Sequence, residues 1–168
     1  MEKRIAAEVR TQGRKLMGYA ATFNNETRIG SMTEVIKPGA FKASLGAKTD
    51  VLCLADHDST KVLGRTKSGT LRLSEDARGL HYELDVPDTA TGRDMLALAE
   101  RNDLGGMSFG FTVPEDGQSW QGSKRILSRV DLVEISVVSA WPAYQQTSIE
   151  ARARGPKTLK IKRYLETV

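Results

Sequence analysis

Val130-Asp131-Leu132-Val133-Glu134-Ile135-Ser136-Val137-Val138-Ser139-Ala140 is the stretch that decides the fold. It is rich in β-branched residues, which suit a pleated, packed surface. Alternation puts Leu132, Glu134, Ser136 and Val138 on one face and Val133, Ile135 and Val137 on the other. Both faces are mostly apolar, so the segment reads as a central strand, and Trp141-Pro142 ends it. A carboxylate on such a strand needs a partner, because burying it alone costs several kcal/mol, on the order of 2–7 even for a neutral polar group. Glu134 therefore has two readings. It is half of a structural ion pair, with an arginine such as Arg65, or it orients a histidine.

Working outward, the other segments also read as short strands. Ile5, Ala7 and Val9 alternate with polar residues, and Leu16 to Phe23 is apolar and aromatic. Glu34-Val35-Ile36 follows a polar stretch. Asp50 to Ala55 is a short, nearly continuous apolar run, the mark of a buried strand. Lys67-Ser68-Gly69 reads as a hairpin turn between Val62–Thr66 and Thr70–Leu73. Residues 75–79 form another turn, before the alternating strand Leu80 to Val86. Met107 to Val113 is a strand, Pro114 to Gly117 a turn, and Gln121-Gly122 the centre of a second hairpin. Two helices are predicted. One is short, Pro38 to Leu45, with Pro at a tolerated first-turn position and Gly46 as its stop. The other begins at Pro87-Asp88-Thr89, with Thr91 and Asp94 at capping-box spacing and Met95, Leu96, Leu98 and Ala99 as its apolar face. Many short strands with two or three helices, the last from Tyr144 onward as helix or tail, favour a β-barrel-like core flanked by helices.

Composition narrows the function. The chain has 168 residues, enough to bury a proper core without a disulfide or metal staple. Cys53 is the one cysteine, so an intrachain disulfide and a multi-cysteine zinc site are both excluded, as is typical of a cytosolic protein. No apolar run reaches the roughly 18 residues of a membrane span, and Met1 to Arg4 leads into no signal-peptide pattern. The formal net charge of +4 comes from the end of the chain. Residues 151–168 hold 6 Lys+Arg and 1 Glu, whereas residues 1–150 hold 19 Lys+Arg and 20 Asp+Glu. The body is thus near neutral and has 6% aromatics, which argues against nucleic-acid binding through the main domain. The division expected is a body, 1–150, and a basic tail, 151–168, breaking near Gly155-Pro156.

Three segments could carry chemistry. His57, one of two histidines, lies between Asp56 and Asp58 at the end of an apolar strand, where a rigid scaffold can hold a functional group. His81 sits in the alternating strand with Leu80, Tyr82 and Leu84 on the opposite face, so solvent is its expected environment. Ser108 stands in Gly105-Gly106-Met107-Ser108-Phe109-Gly110-Phe111, where glycines permit close approach of a substrate. The bland alternative is a glycine-bearing strand with one polar residue. Gly106 to Gly110 matches G-x-S-x-G formally. A nucleophile elbow, however, needs a helix after the serine and a histidine later in the chain, and both are missing here. Asp56-His57-Asp58 is a poor metal site, since adjacent residues cannot easily converge on one ion. Cys53, between Leu52 and Leu54, reads as a buried, inert thiol.

Taken in order, Gly18-Tyr19-Ala20-Ala21-Thr22-Phe23, Glu34 to Phe41, Asp56-His57-Asp58, Leu63-Gly64-Arg65-Thr66, Gly106 to Phe111, Val133 to Val138 and Pro142-Ala143 resemble the prohead serine proteases of tailed bacteriophages. That family is related in fold to the herpesvirus assemblins. The resemblance spans about residues 15 to 145. It implies a mainly β, Greek-key-like antiparallel β-barrel flanked by a few helices. It also implies Ser108 as nucleophile, His57 as general base and Glu134 as the third member, with Asp131, on the opposite face, the weaker choice. No cofactor is implied. The implied substrates are the scaffolding segment of the major capsid protein and the protease itself, cut inside the prohead in the host cytoplasm. A homo-oligomer, such as a dimer, is implied by the assemblins. The competing reading is a catalytically silent assembly or scaffolding protein on the same fold. An inactive relative would be expected to lack one of His57, Ser108 and Glu134, and this chain keeps all three.

Overall fold

The computed structural model describes residues 10–140, with side chains from residue 13 onward. The Ile5–Val9 strand, the Trp141-Pro142 strand end, the Pro142-Ala143 match and the basic tail lie outside the described residues. Within the described residues, twelve strands and two α-helices follow one another. They are β1 Arg10–Gln12, β2 Lys15–Thr22, β3 Thr27–Ile29, β4 Met32–Ile36, α1 Lys42–Gly46, β5 Leu52–Ala55, β6 Asp58–Arg65, β7 Leu71–Glu75, β8 Gly79–Asp85, α2 Ala90–Glu100, β9 Gly106–Thr112, β10 Gln118–Gln121, β11 Lys124–Leu127 and β12 Asp131–Val138. The mainly β expectation holds.

The barrel does not appear in the form expected. The strands make three four-stranded sheets, ordered β1-β2-β8-β7, β10-β11-β4-β3 and β6-β5-β12-β9, and among the described residues no sheet closes on itself. Only the first is wholly antiparallel. β4 runs parallel to β11, and β5 parallel to β12. Each parallel pair joins strands far apart in sequence, so the chain has ample length for the crossover that parallel pairing requires.

The hairpin expected at Lys67-Ser68-Gly69 is a turn of another kind. The Gly69 N–H bonds to Thr66 O at 3.0 Å, but β6 belongs to the third sheet and β7 to the first. The turn carries the chain between layers. The turn expected at residues 75–79 and the hairpin expected at Gln121-Gly122 both form, and they pair β7 with β8 and β10 with β11. The first helix begins four residues later than expected, since Pro38 to Phe41 forms a turn instead. The Glu75 carboxylate pins that turn, accepting from Gly39 N–H at 2.7 Å and Phe41 N–H at 3.0 Å. α2 is capped by Thr89, whose hydroxyl accepts from Gly92 N–H at 3.1 Å, and not through Thr91 and Asp94. Its buried face is Gly92, Met95, Leu96 and Ala99, so Leu98 is not part of it.

One core is shared by the sheets and both helices. Leu16, Phe41, Leu80, Tyr82, Leu84, Ile135 and Val137 are fully enclosed in it. β9 contributes Met107, Phe109 and Phe111, with Phe109 stacked on Phe111 at 5.1 Å and edge-on to Phe41 at 5.7 Å. Burying these three residues fixes which way β9 faces. By strict alternation, Ser108 and Gly110 must then point away from the core.

Candidate active site

The site is built on the outward face of the third sheet. Ser108 on β9 stands opposite Ser136 on β12, and Gly110 stands opposite Glu134. Residues directly opposite share a face, so Ser108, Gly110, Glu134 and Ser136 all project the same way. Glu134 and Ser108 are diagonal neighbours in this ladder, a separation that long side chains can span.

A bulge sets this face. Between Leu132 and Glu134 the register shifts, leaving Val133 as the extra residue. The Leu132 N–H bonds instead to the buried Ser44 hydroxyl of α1 at 2.8 Å. Simple alternation fails here. Leu132 is in the core with Ile135 and Val137, on the side opposite Glu134, and Val133 is exposed. Asp131 pairs with Thr112, which puts it on the face of Glu134, not the opposite one, but at the far, exposed end of the strand.

His57 reaches this face from a turn. β5 and β6 are joined by Asp56 and His57 alone, with Ala55 paired to Asp58. Both linking residues have positive φ, 51° and 59°. That is the requirement of a two-residue hairpin turn of type I′. Asp and His tolerate this region better than most residues, yet each still stores strain of about 1–3 kcal/mol. Three hydrogen bonds hold the turn against the end of β12. Asp56 N–H donates to Val137 O at 2.9 Å, and the Asp56 carboxylate accepts from Ser139 N–H at 2.7 Å and from the Ser139 hydroxyl at 2.6 Å. The turn is thereby tied to the strand that carries Glu134.

His57 Nδ1 and Glu134 Oε1 lie 2.8 Å apart, both side chains mostly but not wholly enclosed, at 12% and 14% exposure. The other carboxylate oxygen, Oε2, accepts from the Ser136 hydroxyl at 2.6 Å. Gly110 leaves the room for this carboxylate. A Cβ at Gly110 would come within 2.6 Å of Glu134 Oε1. Nδ1 is thus the ring nitrogen that faces Glu134.

The other candidates separate from the site. Arg65 pairs with Asp50, so it is not the partner of Glu134. Asp58 turns back to Thr60, accepting from its N–H at 2.9 Å, and pairs with Lys61 at 3.3 Å. The two aspartates flanking His57 thus serve the turn, and among the described residues no group of three potential metal ligands converges. Cys53 is fully enclosed, and burial, with Glu134 near it, pushes its thiol up well beyond the ordinary range. His81 meets Tyr19 edge-on at 5.3 Å on the first sheet, half-buried, while Leu80, Tyr82 and Leu84 are enclosed behind it. Sequence reasoning missed Ser136, Gly110 and the Asp56 anchor as parts of the site. The signal for the first two was the alternation itself, and for the third an Asp at the first position of a two-residue link between strands.

A histidine held by a carboxylate, on a sheet face that also carries a glycine-flanked serine, is an arrangement of the serine-hydrolase class. A family model described as caudovirus prohead serine protease matches residues 3–161. The chain belongs to that family. It is also 30% identical over 135 residues to the prohead protease of Enterobacteria phage HK97. That match covers 80% of this chain and 58% of the relative, so the chain spans little more than half the length of that protein. No solved structure matches.

Proposed function

We propose that this chain is a serine endopeptidase of capsid maturation, with Ser108 as nucleophile, His57 as general base and Glu134 as the carboxylate that orients it. The observation that carries this reading is the 2.8 Å contact of His57 Nδ1 with Glu134 Oε1, on the face where Ser108 stands one diagonal step away. The shared face lets the His57 imidazole, held by Glu134, serve Ser108 as its base. His57 Nε2 takes the Ser108 proton as Oγ attacks the scissile carbonyl, then passes it to the leaving amine. Glu134 fixes the tautomer and stabilises the imidazolium, without taking the proton itself. Family membership supports the substrates: the scaffolding segment of the major capsid protein and the protease itself, cut within the prohead in the host cytoplasm. Residues 1–150 are read as the protease domain and 151–168 as a basic tail. The active form is read as a homo-oligomer, a dimer in the simplest case. Sedimentation showing only monomer at high concentration would count against this. The sheets are read as an opened, mixed-pairing relative of the assemblin-like barrel.

The test is co-expression of the native chain or Ser108→Ala with the phage's own major capsid protein, followed by intact mass of every product. The native chain is expected to trim the capsid protein or itself, and Ser108→Ala to leave both whole. If both samples stay whole or are trimmed alike, the endopeptidase reading gives way to a silent assembly protein.

A further inference from the structure

We propose that Ser136 is a positioning residue of this site, holding the Glu134 carboxylate in the orientation that serves His57. The inference rests on the proposed triad and adds a group to it. Four observations meet at this hydroxyl. It donates to Glu134 Oε2 at 2.6 Å, in the range of a hydroxyl bonded to an ionised carboxylate. Ser136 is fully enclosed, so no solvent competes for the bond. The register places Ser136 directly opposite Ser108 and two residues along β12 from Glu134, on the same face. The Glu134 side chain lies over Gly110, in the space a Cβ would take, so residue 110 offers no side chain to orient the carboxylate.

A glutamate carboxylate on a three-bond stem turns easily, and one hydrogen bond to His57 does not fix its plane. With Oε1 on His57 and Oε2 on Ser136, the plane is set at both ends. The charge stays satisfied while His57 is neutral, so little has to rearrange when the imidazolium forms. Ser136 is too deeply enclosed to meet a peptide itself, and its effect must pass through Glu134.

The test reads nucleophile activation without needing the natural substrate. A fluorophosphonate is added to the full chain and the labelling rate of Ser108 is followed by intact mass. In that reaction the Ser108 Oγ–P bond forms, the P–F bond breaks, fluoride leaves and the proton passes to His57. The chains compared are native, Glu134→Gln, Ser136→Ala and the double variant. Ser136→Ala is expected to slow labelling about 10–100-fold, as loss of a group that orients a functional side chain does. The double variant is expected to be no slower than Glu134→Gln alone, because both changes break one chain of contacts. Ser136→Thr and Ser136→Val, equal in volume, repeat the contrast should the alanine variant fold poorly, with Thr fast and Val slow. Native-rate labelling of Ser136→Ala, equal rates for Thr and Val, or multiplying effects in the double variant would each overturn the inference while leaving the triad standing. Native-rate labelling of Glu134→Gln would instead remove the triad reading, and this inference with it.

Discussion

Two glutamates on interior strands of mixed sheets have been put to opposite uses. Glu34 on β4 faces Arg125 on the neighbouring β11 in direct register, with 3.2 Å between the charged groups. Both side chains are sealed, at 6% and 0% exposure, and Gln118 Oε1 also accepts from Arg125 Nε at 2.7 Å. Glu134 on β12 has only Gly110 and Leu52 beside it in register. Its partner arrives from a turn, and that partner is the imidazole of His57. A partner supplied by the ladder, permanently charged and cut off from water, makes a fixed joint between strands. An imidazole delivered from a turn, beside a glycine and not fully sealed, suits the proposed role of passing a proton.

The most direct way to break the comparison is to make the same isosteric change at both glutamates. Glu134→Gln is expected to lower cleavage of the capsid protein by about 10⁴-fold, the cost of the wrong histidine tautomer in a triad, with a nearly native thermal midpoint. Glu34→Gln is expected to do the reverse. It leaves the Arg125 charge enclosed without its carboxylate, a loss of about 3–5 kcal/mol. At roughly 2–4 °C per kcal/mol the thermal midpoint should fall by about 10 °C, while the folded fraction cleaves normally. Replacing Glu34 and Arg125 together by Met and Leu should recover most of that stability, since apolar pairs often equal buried ion pairs. No apolar pair at Glu134 and His57 can recover cleavage. Thermal melts beside a cleavage assay would read all of these. Equal effects of the two Gln variants on both assays would erase the distinction.

Gly110 sharpens the contrast at a single atom. Gly110→Ala puts a Cβ within 2.6 Å of Glu134 Oε1, so the carboxylate must move off His57. Cleavage is expected to fall on the order of 10²-fold, as misplacement of about an ångström can do. Stability should change by no more than about 1 kcal/mol, because a strand gains when alanine replaces glycine. An unchanged rate would mean that Glu134 has another productive position. Asp56→Ala is a milder disturbance. It removes two bonds to Ser139 and puts alanine at φ 51°, where it fits worse than aspartate. The turn should loosen, cutting cleavage about tenfold and stability by about 1–2 kcal/mol. Asp56→Asn, which can keep the turn and one or both contacts, should restore most of each.

What the sequence made legible follows from the range over which each feature is decided. The outward face of β9 was readable because period-2 burial of Met107, Phe109 and Phe111 leaves Ser108 and Gly110 no other direction. That Glu134 shares a face with Ser136 was readable for the same reason. The bulge at Val133 was not, because valine carries no mark of being the unpaired residue, and so Leu132 and Asp131 were given the wrong faces. The hairpin at Asp56-His57 was hidden because neither residue is glycine and because β6 opens with the polar run Asp58-Ser59-Thr60-Lys61. The division of β6 and β7 between two sheets, and the pairing of Arg65 with Asp50 in place of Glu134, depend on contacts that local patterns do not encode. The resemblance to a family singled out His57, Ser108 and Glu134 as candidates. Only coordinates show how the turn, the bulge and a glycine gap bring them together.

The smallest expected effect lies outside both glutamate sites, on the surface. Asp50 is held below the usual carboxylate range chiefly by its hydrogen bond with Arg65, and Asp85 chiefly by Arg72. Asp58 is lowered by the Thr60 hydroxyl, and Asp76 by the Tyr19 hydroxyl at 2.6 Å. A carboxyl group whose pKa is lower in the folded chain binds its proton more weakly there than when unfolded. Its contribution to stability is therefore complete above the ordinary carboxylate range and is lost as pH falls through that range and below it. Asp50 and Asp76 are exposed and Asp58 and Asp85 partly so, so each contribution is small and screened by salt. Thermal midpoints measured from neutral pH down to about pH 3 should decline gently, and less steeply in 0.5 M salt on the order of a 4–5 Å screening length. Arg65→Met and Arg72→Met should flatten the decline further. The Glu34–Arg125 joint is sealed from solvent, so added salt should leave its contribution in place. A salt-sensitive loss at the Glu34→Gln variant equal to that of the surface pairs would mean that the joint is open to water, and the two glutamates would then differ less than their surroundings suggest.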